Sequence, residues 1–256
     1  MASSQSIVQN LQKLKQVKTV ECFEPASSEI TSRSNPVQML KTRGVSAYLM
    51  RINSTTVDKI LDHCIQLVKS RKYTTRVHDL HANKLRFDIE FPPDGFCWNL
   101  LQRILAKWKK NSNSPWNVFK QQGIEPKLVE FSLLGSLPGA VAQTWHVDHY
   151  EGRGKLISFG IPLIDVQDVN GPLNCIPFGL NDEYYKKHPF KVRVRKGEMF
   201  AWDGAMRHRG GYNRGSVARP LFMFSLCFSE KIPNGNDQSL HPELMQRLGM
   251  KQRHSR

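Results

Sequence analysis

At 256 residues, with 39% apolar and 23% charged residues, the chain suits one sizeable folded domain or one domain with polar ends. Its 37 Lys and Arg against 22 Asp and Glu leave a net charge of +15, which favours polyanions or small anionic substrates, with a plain solvated basic surface as the alternative. No apolar run reaches the roughly 18 residues of a membrane span, and five scattered cysteines without a CxxC pair exclude a disulfide framework and a structural zinc site.

Residues 1–45 read as an irregular N-terminal arm, polar and broken by Ser32-Arg33-Ser34-Asn35-Pro36. Its Ser-rich start, with Ile7, Leu11 and Leu14 at helical spacing, somewhat resembles a mitochondrial presequence, although such a leader carries Arg rather than Lys. Reduced thiols therefore point to an intracellular, cytoplasmic setting, with the mitochondrion as the alternative. A strand is predicted from Ala47 to Ile52, then a helix opened by Ser54-Thr55-Thr56 whose apolar stripe is Val57, Ile60, Leu61, Cys64 and Val68. The alternation Arg86-Phe87-Asp88-Ile89-Glu90-Phe91 predicts a half-buried strand. A second helix follows from Pro93, with Trp98, Leu101, Leu105 and Trp108 on one face, ended by Lys109-Lys110 and an Asn/Ser run.

After Pro126 the texture changes. Short apolar or alternating runs recur at Leu128–Leu137, Ala140–Val147, Leu156–Ile164, Pro172–Ile176, Phe190–Val194, Met199–Trp202 and Pro220–Phe228, broken by Gly, Pro, Asn and Asp. Such spacing without intervening helices predicts a β-sandwich or barrel. The expected organisation is an arm over 1–45, one domain over 46–230 (helical support over 46–125, β-core over 126–230), and a basic tail over 231–256.

The chemistry concentrates in Gln143-Thr144-Trp145-His146-Val147-Asp148-His149. On a strand, side chains two apart share a face, so His146 and Asp148 would project together. One imidazole and one carboxylate make two-thirds of a facial triad, which leaves open positions on Fe(II). The third ligand must come from a neighbouring strand, and His208 is the natural candidate, 60 positions on (208 − 148). Eleven residues further (219 − 208), Arg219 opens a strand, and its guanidinium fork suits one carboxylate of a dicarboxylate co-substrate. A lone His-x-Asp reads better as a strand-end ion pair. The four residues in order on predicted strands make the functional reading the stronger one. Trp145 is expected in the core, His149 in a supporting role, and Asp203 and Asn213 in turns.

Three blocks then carry a family resemblance: PGAVAQTWHVDHY over 138–150, IPLIDVQDVNGPLNCIPFG over 161–179, and KGEMFAWDGAMRHRGGYNRGSVARPLFMFSL over 196–226. Together they resemble the phytanoyl-CoA dioxygenase family of Fe(II)- and 2-oxoglutarate-dependent oxygenases, firmly over about a third of the chain. The resemblance implies a mainly β fold with flanking helices, built on a double-stranded β-helix (jelly-roll, cupin-like) core after an α-rich N-terminal portion. It assigns iron to His146, Asp148 and His208, and the 5-carboxylate of 2-oxoglutarate to Arg219, with a second co-substrate contact guessed at Lys84 or Arg86. It implies hydroxylation of a small organic substrate, with O2 consumed and succinate and CO2 released. Halogenating relatives lack the carboxylate that Asp148 supplies. One departure lies in Pro177-Phe178-Gly179-Leu180, where the family has Pro-Gly-Ser-His; this bears on the substrate rather than the metal.

Two alternatives stand beside this reading. A nucleic-acid-directed or protein-directed oxygenase would fit the positive charge, but AlkB-like enzymes carry an Arg six residues after the co-substrate Arg, where this chain has Ser225. A catalytically silent barrel used as a binding module would not need all four residues. The oligomeric state and the organic substrate are not readable from the sequence.

Overall fold

A computed structural model describes residues 3–17, 35–70, 85–121, 123–232 and 240–250, and the backbone of 75–76. Ser32, Arg33, Ser34 and Lys84 lie outside the described residues, as does the end of the basic tail. The architecture is a mixture of helices and antiparallel sheets.

The expected irregular arm contains two helices. In α1 (Ser4–Leu14) Ser3 caps the first turn by accepting from Ser6 N–H, and Ile7, Leu11 and Leu14 are buried on one stripe. In α2 (Pro36–Arg43) Asn35 caps the start, Pro36 supplies a pre-set first turn, and Gly44 ends the helix in the left-handed conformation. The arm is polar in composition, yet its few apolar residues repeat at helical spacing and find cover, so burial overrides the turn signals. Lys15 of α1 pairs with Asp62 of the next helix.

The N-terminal portion carries the two strands and two helices expected of it, with a short strand and a short helix besides. Strand β1 (Val45–Arg51) precedes α3 (Ser54–Ser70), and β2 (Thr75–Arg76) and β3 (Arg86–Glu90) precede α4 (Gly95–Lys110) and α5 (Pro115–Phe119). These three strands join one seven-stranded sheet in the order β1-β8-β5-β10-β4-β3-β2, completed by β4 (Lys127–Ser136), β5 (Leu156–Pro162), β8 (Glu198–Asp203) and β10 (Arg219–Cys227). Strand β3 is buried at all five positions rather than half-buried. One face meets the aromatic core and the other meets the opposing polypeptide, which is why Arg86, Asp88 and Glu90 lie inside.

A second, three-stranded sheet has the order β7-β6-β9, from β6 (Leu173–Cys175), β7 (Phe190–Val192) and β9 (His208–Gly210). A short helix, α6 (Asp182–Lys187), interrupts this half, which had read as helix-free, and α7 (Pro242–Arg247) follows the last strand. Asn181 caps α6 by accepting from Tyr184 N–H, and the Asp182 and Glu183 carboxylates sit favourably in its first turn.

The outer face of the large sheet is aromatic and packs under α4. The Trp108 ring lies 4.8 Å from Phe159 and 5.8 Å from Phe224, while Phe91, Phe131 and Phe222 form a second cluster with ring centres 4.9 to 5.7 Å apart. One continuous core runs from α1 through α3 and α4 to both sheets. Among the described residues no helix is long and apolar enough to cross a membrane.

Candidate metal centre

The segment expected as a strand over 140–147 is only partly one. His146 and His208 exchange backbone hydrogen bonds in both directions, at 3.0 and 2.9 Å. Beyond them the ladder breaks: Gly210 N–H donates to the Gln143 side chain at 2.6 Å, and Asp148 N–H donates to the Gly204 carbonyl at 2.7 Å. A side chain thus replaces one main-chain rung. Gly204 allows the close approach, because a Cβ there would stand 2.9 Å from His149 and 3.2 Å from Asp148.

This pairing brings three of the expected residues together. One donor atom each from His146, Asp148 and His208 falls within 4.8 Å of the others. His208 Nε2 lies 3.4 Å from Asp148 Oδ1, and His146 Nε2 lies 3.9 Å from the same oxygen. His146 Nδ1 lies 2.9 Å from the Thr144 carbonyl and His208 Nδ1 lies 2.8 Å from the Met206 carbonyl. A carbonyl oxygen can only accept, so each Nδ1 must carry the proton, and in the neutral ring each Nε2 presents its lone pair. Two lone pairs and a carboxylate oxygen then converge on one point, which is unfavourable unless a cation lies between them. The donor set fits a divalent metal with nitrogen and oxygen preferences.

Without a metal, His208 and Asp148 favour each other's charged forms. Burial alone would push Asp148 up, but His208, His146 and the Trp202 indole N–H at 3.3 Å bring it net below its ordinary value. Burial alone would push His208 down, and Asp148 raises it overall.

Arg219 stands at the head of β10, only 3% exposed, and among the described residues no carboxylate pairs with it. Its Nε is buried without a hydrogen-bond partner, and burial, followed by the charge of Arg86, pushes it down to about 9. Arg86 is beside it, donating through Nη2 to the carbonyls of Val141 and Gly211, both at 2.8 Å, with its own Nε unpartnered. Two buried cations facing one another are costly without an anion between them. This cradle fits one carboxylate of a dicarboxylate. Of the two guesses for a second contact, Arg86 lies in the cradle, and Lys84 lies outside the described residues.

The supporting residues sort as follows. Asn213, fully buried, donates to the Ser136 and Val217 carbonyls and accepts from Gly215 N–H. Asp203 accepts from Ala205 and Gly154 N–H groups, as a turn residue does. His149 is buried and accepts from Glu151 N–H. Trp145, expected in the core, is partly exposed with the Arg209 guanidinium 4.5 Å over its ring. Phe178, in the divergent Pro-Phe-Gly-Leu stretch, lies under the Arg153 guanidinium at 4.0 Å. Gly171 lets the Asn-Gly-Pro turn reach the exit of β9, since a Cβ there would sit 2.5 Å from the Gly211 carbonyl. The sequence reading missed the Trp202 bond to Asp148 and the polar row Glu130, Ser132, Ser158 and Ser225. Small and polar residues alternating with Phe131 and Leu133 in β4 were the available signal.

No protein-family model matches the chain, and no curated protein matches it. Solved structures do. AviO1 from Streptomyces viridochromogenes Tue57 superposes with a TM-score of 0.58 at 14% identity, covering 79% of this chain and 97% of its own. The non-heme alpha-ketoglutarate-dependent carbocyclase SnoK from nogalamycin biosynthesis gives 0.58 at 13% identity, covering 80% and 87%. HygX from Streptomyces hygroscopicus, with nickel, 2-oxoglutarate and hygromycin B bound, gives 0.55 at 14% identity, covering 77% and 88%. At these identities the likeness establishes a common fold with these proteins.

Proposed function

We propose that this chain is an Fe(II)- and 2-oxoglutarate-dependent oxygenase that oxidises a small organic molecule. The observation that carries the reading is the convergence of His146, Asp148 and His208 donor atoms within 4.8 Å, in a fold shared with such enzymes. His146, Asp148 and His208 hold the iron, Arg219 with Arg86 receives the 5-carboxylate of 2-oxoglutarate, and O2 is the oxidant. Bound there, the iron and its co-substrate supply oxidation of an unactivated C–H bond, with succinate and CO2 released. The chain supplies geometry. The backbone carbonyls at 144 and 206 fix both imidazole tautomers, Trp202 orients the carboxylate, and the Arg pair fixes one end of the co-substrate.

We read the two sheets as the walls of a double-stranded β-helix. In chain order β4, β5, β8 and β10 belong to the large sheet and the 143–148 segment, β6, β7 and β9 to the small one, the chain crossing between them after every strand except β6, as in a jelly roll. Residues 46–230 are taken as the oxygenase domain, with α1 and α2 in the same core. Membership of the phytanoyl-CoA dioxygenase family rests on the three sequence blocks. Hydroxylation is our reading of the outcome, although structural neighbours include an epimerase and a carbocyclase.

Anaerobic addition of Fe(II) and then 2-oxoglutarate is expected to produce a weak visible charge-transfer band that Asp148→Ala lacks. Succinate release against a panel of small metabolites, with product mass measured, then identifies the reaction. Absence of the band in the wild-type protein would leave a silent barrel as the better account.

A further inference from the structure

The inner face of the large sheet, opposite the aromatic one, carries buried polar groups in register. Side chains two apart on a strand share a face. Across β3, β4, β10 and β5 this face presents Arg86, Asp88 and Glu90, then Ser136, Ser132 and Glu130, then Arg219 and Ser225, then Ser158, with Leu134, Leu221, Met223 and Gly160 set among them. Trp202, opposite Ser158 in the next strand, is the residue that bonds Asp148, so this face looks toward the metal centre. The arginines stand at one end of the wall. Glu130 stands at the other, opposite Ser225, six positions along β10 from Arg219 (225 − 219).

Glu130 is held rather than paired. Ser225 Oγ donates to its Oε2 at 2.6 Å and lies 2.8 Å from Ser158 Oγ. Ser225 is its one hydrogen-bond partner among the described residues. The side chain is partly exposed, as is Leu134 four positions along the same face, while the residues between them are buried. Solvent-sized space therefore reaches Glu130 and Leu134 on this face. Ser132 Oγ, between the two on that face, is fully buried with no hydrogen-bond partner. The charges acting on Glu130 are those of Asp88 and Asp148, and no cation is among them. Burial first, then Asp88, pushes its carboxyl up to about 8. Asp88 and Glu90 have interactions of their own, so the argument stands on Glu130 and Ser132.

We propose that Glu130 is the substrate-recognising group of this site, and that the substrate class is a molecule carrying a protonated amine, its ammonium docked on Glu130 and Ser132 with the rest of the molecule toward the metal centre. The proposal rests on the oxygenase reading above and names its substrate class. An ammonium offers several N–H donors to the second carboxylate oxygen and the buried hydroxyl, and it supplies a positive charge that no described neighbour gives Glu130. It replaces the anionic substrate that the net charge of +15 had suggested, because the charges acting on Glu130 are those of carboxylates.

The test uses the full chain without added metal and a panel of primary amines matched with their N-acetyl counterparts, read by thermal shift and calorimetry. Amines from the panel are expected to bind, their N-acetyl forms to bind at least tenfold more weakly, and Glu130→Gln to weaken the amines by about 10- to 150-fold, the range for a charge-assisted hydrogen bond. Equal binding of the acetylated forms, unchanged affinity in Glu130→Gln, or no binding by any amine overturns the proposal. Should Glu130→Gln fail to fold, Ser225→Ala keeps the charge and removes its anchor. It is then expected to weaken amines about 2- to 10-fold, and undiminished binding counts against the idea. The Fe(II)/2-oxoglutarate band of the wild-type protein is recorded separately. Loss of amine preference with that band present sinks this inference alone, whereas a missing band sinks the oxygenase reading.

Discussion

Replacing Arg219 by Met separates a co-substrate anchor from a structural arginine, because the two roles predict opposite signs. In the ligand-free protein the guanidinium is 3% exposed, its Nε has no acceptor, and its charged neighbour is Arg86. Removing an uncompensated buried cation and filling its volume with an apolar chain is neutral or stabilising. Arg219→Met should therefore melt at or above the wild-type temperature. With Fe(II) present and O2 absent, 2-oxoglutarate at about 100 times its dissociation constant should stabilise the wild type by about 2.7 kcal/mol. That corresponds to a rise in Tm of roughly 5–10 °C for a chain of this size. A bidentate carboxylate contact comprises two charge-assisted hydrogen bonds of about 1.5–3 kcal/mol each. Its loss should weaken 2-oxoglutarate by about 150-fold or more and abolish the shift at the same concentration. Melting curves with and without the co-substrate, backed by calorimetry, read both quantities. A variant that melts several degrees lower yet keeps the full shift would refute the cradle.

Gly135→Ala should lower stability by about 1–3 kcal/mol, because a Cβ there would lie 2.0 Å from the Phe87 ring in a filled core; urea denaturation measures this. Asn213→Ala should cost about 2–4 kcal/mol, since it removes donors to two carbonyls and the acceptor for Gly215 N–H, and a matching drop in the urea midpoint checks it. Burial raises the Asp203 carboxyl to about 6, against an unfolded value near 3.9. Its protonated form is thus favoured by folding, so the contribution is complete below about pH 4 and is lost as pH rises through 6. In chelator, the stability difference between wild type and Asp203→Asn should fall across that window, and a flat difference would contradict the burial argument.

The sequence by itself determined what depends on local periodicity and residue chemistry. The stripe Val57, Ile60, Leu61, Cys64 and Val68 sits buried on α3, and the alternating runs after Pro126 become β4, β5, β6, β7, β8 and β10. His146, Asp148, His208 and Arg219 were nameable because their side chains have few other uses in that order on strands. Only the tertiary structure decided the rest. Ile7, Leu11 and Leu14 become a helix because α3 covers them, and β3 is buried on both faces because the aromatic core lies on one and the segments of Val141 and Gly211 on the other. Three-residue β9 has no periodicity to read, yet its pairing with His146 brings the two imidazoles to a ring separation of 4.5 Å. The same holds for the row of Ser158, Ser225 and Glu130. Each looks like an ordinary strand residue, and their common face exists only through the register of three strands distant in sequence. Spacing along a chain records which residues can share a face, and which faces meet is set by pairing that no local pattern encodes.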